Sequence, residues 1–301
     1  MAYGSPQSEE DVEPYYTHIR HGKHPSEEEV LDLKRRYRAI GGRSPLGTIT
    51  ESTAVKLEKR LKSTGNNVRV FAGMKHWHPF IEEVVKENIA PQGITDLLAI
   101  ALAPHYSKMS IGSYEDAMKQ ANGQETINVK FVPHWYKNPV FIQKWAERIR
   151  EKASDFHSST GNKIFFLFSA HSLPQRILSW GDPYKDELLE STNIIASKIP
   201  IGGEDEFGFA FQSAGHTSEP WLDPDVLDKL EGLASQGWKN VLVAQIGFVS
   251  DHLEVLYDLD IEAKEKGEKL GIKVERAESF NDSSDFIDVL QSVVMESRFL
   301  G

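Results

Sequence analysis

The chain alternates short apolar runs with longer stretches in which apolar residues recur every three or four positions. Six runs have the length and make-up of strands: "NVRVFAGM" (67–74), "DLLAIALAPH" (96–105), "NVKFVPHWY" (128–136), "KIFFLFSAHS" (163–172), "EFGFAFQSAG" (206–215) and "NVLVAQIGFVS" (240–250). Helical patterns fall over 27–40, 50–62, 79–87, 139–153, 184–197, 224–236 and 251–266. This alternation predicts parallel sheets with helices on both faces. In such folds ligands bind beyond the carboxyl ends of the strands.

The order of strand ends repeats. "MAYGSP" is followed by "VFAGMKHWHP" (70–79) and "IALAPHYS" (100–107); "FSAHSLP" (168–174) is followed by "AFQSAGHTSEP" (210–220) and "AQIGFVSDH" (244–252). The pattern predicts two copies of one Rossmann-like α/β domain, 1–150 and 151–301, each a parallel sheet flanked by helices, with a cleft between them. The last helix is expected to pack back on the first domain. A length of 301 residues suits two domains of roughly 150 residues each.

Composition narrows the chemistry. The chain is 40% hydrophobic and 26% charged, with a formal net charge of -11, and no basic stripe marks a phosphate-backbone binder. It has no cysteine, which removes disulfides, thiolate nucleophiles, cysteine-bound zinc and cysteine-ligated iron–sulfur clusters and fits a cytoplasmic protein. The longest apolar run, "VLVAQIGFV", is too short to span a bilayer, and no signal peptide is visible. Phosphate-loop glycine spacings, a Gly-x-Ser-x-Gly elbow and a His-Glu-x-x-His zinc motif are all missing.

One stretch stands out, "GFVSDHLEVLYDLDIEAK" (247–264). Leu253, Leu256 and Leu259 recur at about helical spacing, while Glu254, Asp258 and Glu262 stand four apart. Like charges at that spacing cost a helix a few tenths of a kcal/mol per pair. Asp251 as N-cap with Glu254 three residues on would make a capping box, which leaves Asp258 and Glu262 unexplained. A row of acids leading from a cleft suits a path for a hard or borderline cation. His171 closes the run "KIFFLFSA". It fits a hydrogen-bonded turn, or an imidazole that takes a proton or a first-row metal. The segment 15–46, with Arg20, His21, Arg36, Tyr37 and Ser44, suits a flat, carboxylate-bearing ligand or an exposed amphipathic region. "KHWHP" (75–79) reads as a loop after a strand.

"MAYGSP", "YYTHIRHG", "YRAIGGRSPL", "LAPHYS", "SAHSLPQRI", "GDPY", "FQSAGHTSEPWLDPDV" and "GFVSDHLEVLYDLDIE" run in order along the chain. Together they resemble the ferrochelatase family, most nearly its soluble bacterial branch that inserts iron into coproporphyrin III. The resemblance implies insertion of Fe(II) into a propionate-bearing porphyrin, with protoporphyrin IX as the other substrate. It makes His171 and Glu254 the catalytic pair at the inner metal site, and Asp258 and Glu262 the acids that guide or hold a second divalent ion. It places Tyr3, Arg20, Arg36, Tyr37, Ser44, Lys75, His76 and Tyr114 around the porphyrin. No organic cofactor is implied; iron is a substrate. Glu254, desolvated and close to other acids, is expected to have its pKa raised. In the family, residues ahead of Met1 would form most of a first strand, whose absence exposes a neighbouring strand edge. A monomer is expected, in passing contact with an iron donor or a haem acceptor. The alternatives are a haem- or metal-binding module without turnover, and a chelatase for another metal and tetrapyrrole.

Overall fold

In the computed structural model, the described residues are 1–300 other than 124–126, 161–162, 200, 202–204 and 216, with side chains left out at 158–160. His216 of the 210–220 motif therefore lies outside them.

Four parallel strands form the larger sheet: β3 (Phe165–His171), β4 (Glu206–Gln212), β5 (Asn240–Ala244) and β6 (Lys273–Arg276), in the order β4-β3-β5-β6. A smaller parallel sheet pairs β1 (Asp96–Ile100) with β2 (Asn128–Val132). Strand β3 is apolar on both faces because both are covered, as parallel sheets require. Phe166, Phe168, Leu242 and Ala244 join one core with Trp145 and Ile149 of the helix Pro139–Thr160. Phe165, Leu167, Val241 and Val243 point the other way, into a core with Leu230 and Leu233 of the helix Val226–Ser235. The alternation is the period-two geometry of a strand.

The chain leaves β3 to one side for β4 and returns to the other side for β5, so the strand order reverses at β3. Crevices outside the carboxyl ends of strands at such a reversal are where ligands bind. His171 pairs with Gln212 at that end of β3. The turn after β5 then passes close beneath it. Gly247 donates to Ser169 O at 3.2 Å, and a Cβ on Gly247 would lie 2.4 Å from Ala170 Cβ. Only glycine permits that approach.

Cross-links join the sequence halves. Glu187, on the helix Tyr184–Ala196, accepts from Tyr106 N at 2.6 Å and meets His134 Nδ1 at 2.5 Å. The last helix, Ser284–Glu296, is capped by Ser283 and lies against the helix Leu46–Ser63, where Arg60 pairs with Asp288 and Lys56 with Asp282. Among the described residues no helix is long and apolar enough to cross a membrane.

Two sequence expectations need correction. The run 67–74 is extended but forms no strand; Met74 alone makes isolated bridges, to Ala2 and Phe80. A strand needs a ladder partner, and among the described residues the edge of β1 away from β2 is met by Met1, which bonds Ile100 and Leu102. The helices Val12–Ile19 and Ile111–Ala121 and the strand β6 were not expected from the pattern.

Replacing Gly247 with alanine is expected to overpack the turn beneath β3 and cost about 1–3 kcal/mol of stability. A urea unfolding midpoint checks this; an unchanged midpoint means the close approach is not a constraint.

Candidate functional site

His171 and Glu254, 83 positions apart in the chain, meet at the mouth of the larger sheet: His171 Nδ1 lies 3.1 Å from Glu254 Oε2. Their side chains are about a third exposed, 31% and 37%. The carboxylate sits off the ring N–H direction and makes no aligned hydrogen bond with it, so the contact is an ion pair. Burial works against charge on both groups, and the pair overcomes it. The carboxylate of Glu254, helped by Asp258, holds the imidazole above its ordinary pKa. His171 and His252 hold Glu254 well below the usual carboxylate range. The expectation of a raised Glu254 is therefore reversed, because two imidazoles face it.

Each partner is fixed from behind. Tyr184 Oη donates to His171 O at 2.9 Å, and Trp221 and Phe248 flank the ring, each with its centroid 6.4 Å away. Gln212 Nε2 donates to Glu254 O at 3.2 Å, and Gln212 Oε1 accepts from Ser169 Oγ at 2.9 Å. His252 Nδ1 donates to the Ser250 carbonyl at 2.9 Å. A carbonyl only accepts, so Nδ1 carries the hydrogen, and Nε2 lies 3.6 Å from Glu254 Oε2.

The capping box does not form. The carboxylate of Asp251 is taken by Ser279, Asn281 and Arg276 at 2.7, 2.9 and 3.2 Å, and Glu254 opens the helix with no side-chain cap. The helix Val255–Ala263 is a π-helix, closed by i→i+5 bonds, a form that recurs at functional sites. The carboxyl of Asp258 is pushed up to about 7 by burial, by Glu254 and by Glu262, against a hydrogen bond from Ser213. Glu262 is raised as well, by burial above all. Arg36 stands over the Tyr257 ring at 5.1 Å and is bonded to Asp32 at 2.9 Å; burial opposes its charge, while Asp32, Glu262 and Asp258 favour it. Ser213 holds a positive φ of 61°, a strained conformation for a residue with a side chain.

The first half of the chain supplies a wall. Tyr3, 41% exposed, stacks at 4.4 Å on His76. Lys75 Nζ lies 5.8 Å from the Tyr3 ring and 5.5 Å from the Tyr114 ring, and donates to Ser113 at 2.5 Å. Burial lowers the pKa of Lys75, and burial together with Lys75 pushes His76 down to about 3. His76 is therefore neutral, and its Nδ1 shares one hydrogen with His18 Nδ1 at 3.1 Å. Tyr3 and Tyr37 are raised far above a normal phenol, by burial first and by the charge of Glu254 as well. Arg20 is turned to Glu29 at 2.6 Å and over the Tyr16 ring. Ser44 is 2% exposed and accepts from Leu46 N at 3.3 Å; it terminates a turn. Sequence reasoning passed over His18 and His252. The second lay in plain view, two residues before Glu254 in "SDHLE".

A family model described as Ferrochelatase matches residues 1–298. The chain is 46% identical over 297 residues to a ferrochelatase of Herpetosiphon aurantiacus, covering 98% of this chain and 96% of that protein. It is 44% identical over 302 residues to coproporphyrin III ferrochelatase 1 of Bacillus anthracis, covering 99% and 96%. It is 45% identical over 302 residues to coproporphyrin III ferrochelatase of Geobacillus kaustophilus, covering 98% and 94%. Among solved structures, SirB from Bacillus subtilis with Fe3+ shares the fold, with a TM-score of 0.56 at 14% identity, over 82% of this chain and 89% of that one.

The raised carboxyl of Asp258 has a stability sign. Its folded pKa of about 7 exceeds the ordinary 3.8, so between those values the folded chain keeps a proton that the unfolded chain has lost. Stability from this group falls as pH rises through that window. Asp258→Asn is expected to gain stability over the parent as pH rises from about 4 to 8, read by urea unfolding of metal-free protein. A difference that stays constant with pH would show that Asp258 titrates normally.

Proposed function

This chain belongs to the ferrochelatase family, and we propose that coproporphyrin III is the porphyrin into which it inserts Fe(II). The activity is that of a lyase-class metal chelatase of haem biosynthesis. The observation that carries the site assignment is the contact of His171 with Glu254 at the head of the acid row.

A free-base porphyrin holds two pyrrole N–H groups, and Fe(II) entry releases two protons. His171 and Glu254 stand where those protons and the iron must cross. In the resting state the pair holds one proton, on the imidazole. Glu254 is a weak base while His171 is charged, and becomes a better one when His171 gives up its proton or binds the metal. Asp258 stands near half-protonation at neutral pH and exchanges protons at little cost. Two carboxyls with separated pKa values divide the work: Glu254 stays ionised to draw in the cation, and Asp258 carries protons out. Glu262 extends the row outward as a landing site for divalent ions, ending at Arg36.

Tyr3, Lys75, His76, Tyr37 and Tyr114 form the opposing wall. Aromatic faces suit a macrocycle, and a half-buried ammonium suits a propionate. Arg20, Arg36 and Ser44 complete the porphyrin set; Arg20 serves a propionate by exchanging Glu29 for it. With no cysteine in the chain, no iron–sulfur cluster is held by thiolates. The protein acts as a cytoplasmic monomer and meets its iron donor and haem acceptor transiently.

Anaerobic mixing with Fe(II) and coproporphyrin III is expected to give many turnovers by absorbance, faster than with protoporphyrin IX. A stoichiometric spectral shift that then stops would make the protein a binder. His171→Ala is expected to lose at least about 100-fold in turnover with porphyrin affinity little changed. Retained turnover would remove His171 from the chemistry.

A further inference from the structure

The acid row rides on an uncommon helix. Val255–Ala263 keeps its i→i+5 bonds over 9 residues, whereas such turns occur mostly singly inside α-helices. It opens at Glu254 with no side-chain cap and runs straight into the α-helix Lys264–Leu270. A helix with i→i+5 bonds turns less per residue than one with i→i+4 bonds, so the ladder that forms decides which residues share a face. In the ladder present, Val255, Leu259 and Ala263 are buried in one core with Val241 and Val243 of β5.

One side chain ties both ends of that stretch. Arg276 closes β6 and is paired there with Val243 of β5, so its backbone belongs to the sheet. Its guanidinium, mostly buried, donates to Asp260 Oδ2 through Nε at 2.9 Å and through Nη2 at 2.8 Å, and Nη2 also lies 3.2 Å from Asp251 Oδ1. Asp251 precedes the helix, and Asp260 falls between Asp258 and Glu262. Residues two apart on a helix do not face the same way, so Asp260 turns from the acid row toward β6. Asp251 is held further. Ser279 Oγ donates to its Oδ1 at 2.7 Å, Asn281 Nδ2 donates to its Oδ2 at 2.9 Å, and its own amide donates to Asn281 Oδ1 at 2.7 Å. Lys264 reaches the other oxygen of Asp260 at 3.2 Å. Rewinding the helix between the two aspartates into i→i+4 bonds would turn Asp260 relative to Asp251, and one guanidinium could no longer meet both.

We propose that Arg276 is a positioning residue for metal insertion: by bridging Asp251 and Asp260 it holds the helix between them in its i→i+5 form and so sets Glu254 and Asp258 against the cleft. The inference rests on the reaction proposed above. Among the described residues Arg276 makes no hydrogen bond or ion pair with Glu254, Asp258 or Glu262; it acts through the backbone between its two partners. The bridge needs a fork of donors. A lysine is a compact point charge on a flexible stem, so Arg276→Lys keeps a cation and a pairing with one aspartate but loses the bridge.

The test compares Arg276→Lys with the parent chain. Steady-state insertion, with Fe(II) and coproporphyrin III varied in turn, is expected to give a kcat lower by about 10- to 100-fold and a raised KM for Fe(II), while porphyrin affinity by spectral titration stays at the parent value. Amide exchange read by mass spectrometry is expected to speed up over 254–263 and to keep the parent rate in β3 and β5. A residue that only stabilised the fold would speed exchange across the sheet and leave the KM for Fe(II) unmoved. Parent values of kcat and KM overturn the proposal, as does faster exchange spread through β3 and β5. If the lysine variant does not fold, Asp260→Asn, which leaves the contact of Arg276 with Asp251, is read in the same way. Exchange needs no substrate. Should the parent chain insert no iron, the assigned reaction falls, while exchange over 254–263 still decides whether Arg276 holds the helix.

Discussion

An imidazole and a carboxylate from distant parts of the chain face each other at 3.1 Å, and the site is organised around that contact. Neither group could hold its charge there alone, since burial opposes both. Breaking such a pair by removing one partner strands a buried charge, at a cost of about 3–5 kcal/mol when burial is full and less here, with a third of each side chain exposed. The supports behind the pair are neutral and rigid: a tyrosine on the His171 carbonyl and a glutamine on the Glu254 carbonyl. Strand β3 delivers the histidine, and the turn beyond β5 delivers the glutamate. The close packing of Gly247 on Ala170 keeps those two deliveries in register.

From that contact the electrostatics of the neighbouring acids follow. Burial first, and then the fixed negative charge of Glu254 one turn back, let Asp258 keep its proton to about pH 7. The imidazoles thus separate two carboxyls that begin with nearly equal acidity. Arg36, reaching in from the first half of the chain, meets the row at its outer end. The row therefore presents carboxyls of graded basicity.

Much of this was legible in the sequence. The runs 163–172, 206–215 and 240–250 gave β3, β4 and β5 because strands buried on both faces read as unbroken apolar blocks. His171 and the acid row were visible as unusual residues in strand-end positions. What was hidden depended on partners that no local pattern encodes. The Glu254 pKa was misjudged because His252 was passed over and because the meeting with His171 exists only in the fold. The stretch 67–74 has a strand's composition, yet composition supplies no hydrogen-bond partner, and without one the backbone stays extended and unpaired. Short β6 carries "KVER", too brief and too charged to stand out. Arg20 and Ser44 were sound choices by chemistry, but Glu29 and the Leu46 amide engage them in the folded chain.

The two walls of the cleft differ in stiffness for a physical reason. His171 and Glu254 hang on a four-stranded sheet with an apolar core on each face. The wall of Tyr3, Lys75 and His76 is held to the chain start by the hydrogen bonds Lys75 N to Ala2 O and His76 N to Tyr3 O. Local opening costs least where backbone bonds are few and apolar contacts incomplete. Tyr3, Lys75 and His76 therefore rest on an element that gives, while His171 and Glu254 rest on one that does not. That division suits the insertion proposed above, in which a broad macrocycle enters and leaves along one wall while its nitrogens are held at the other.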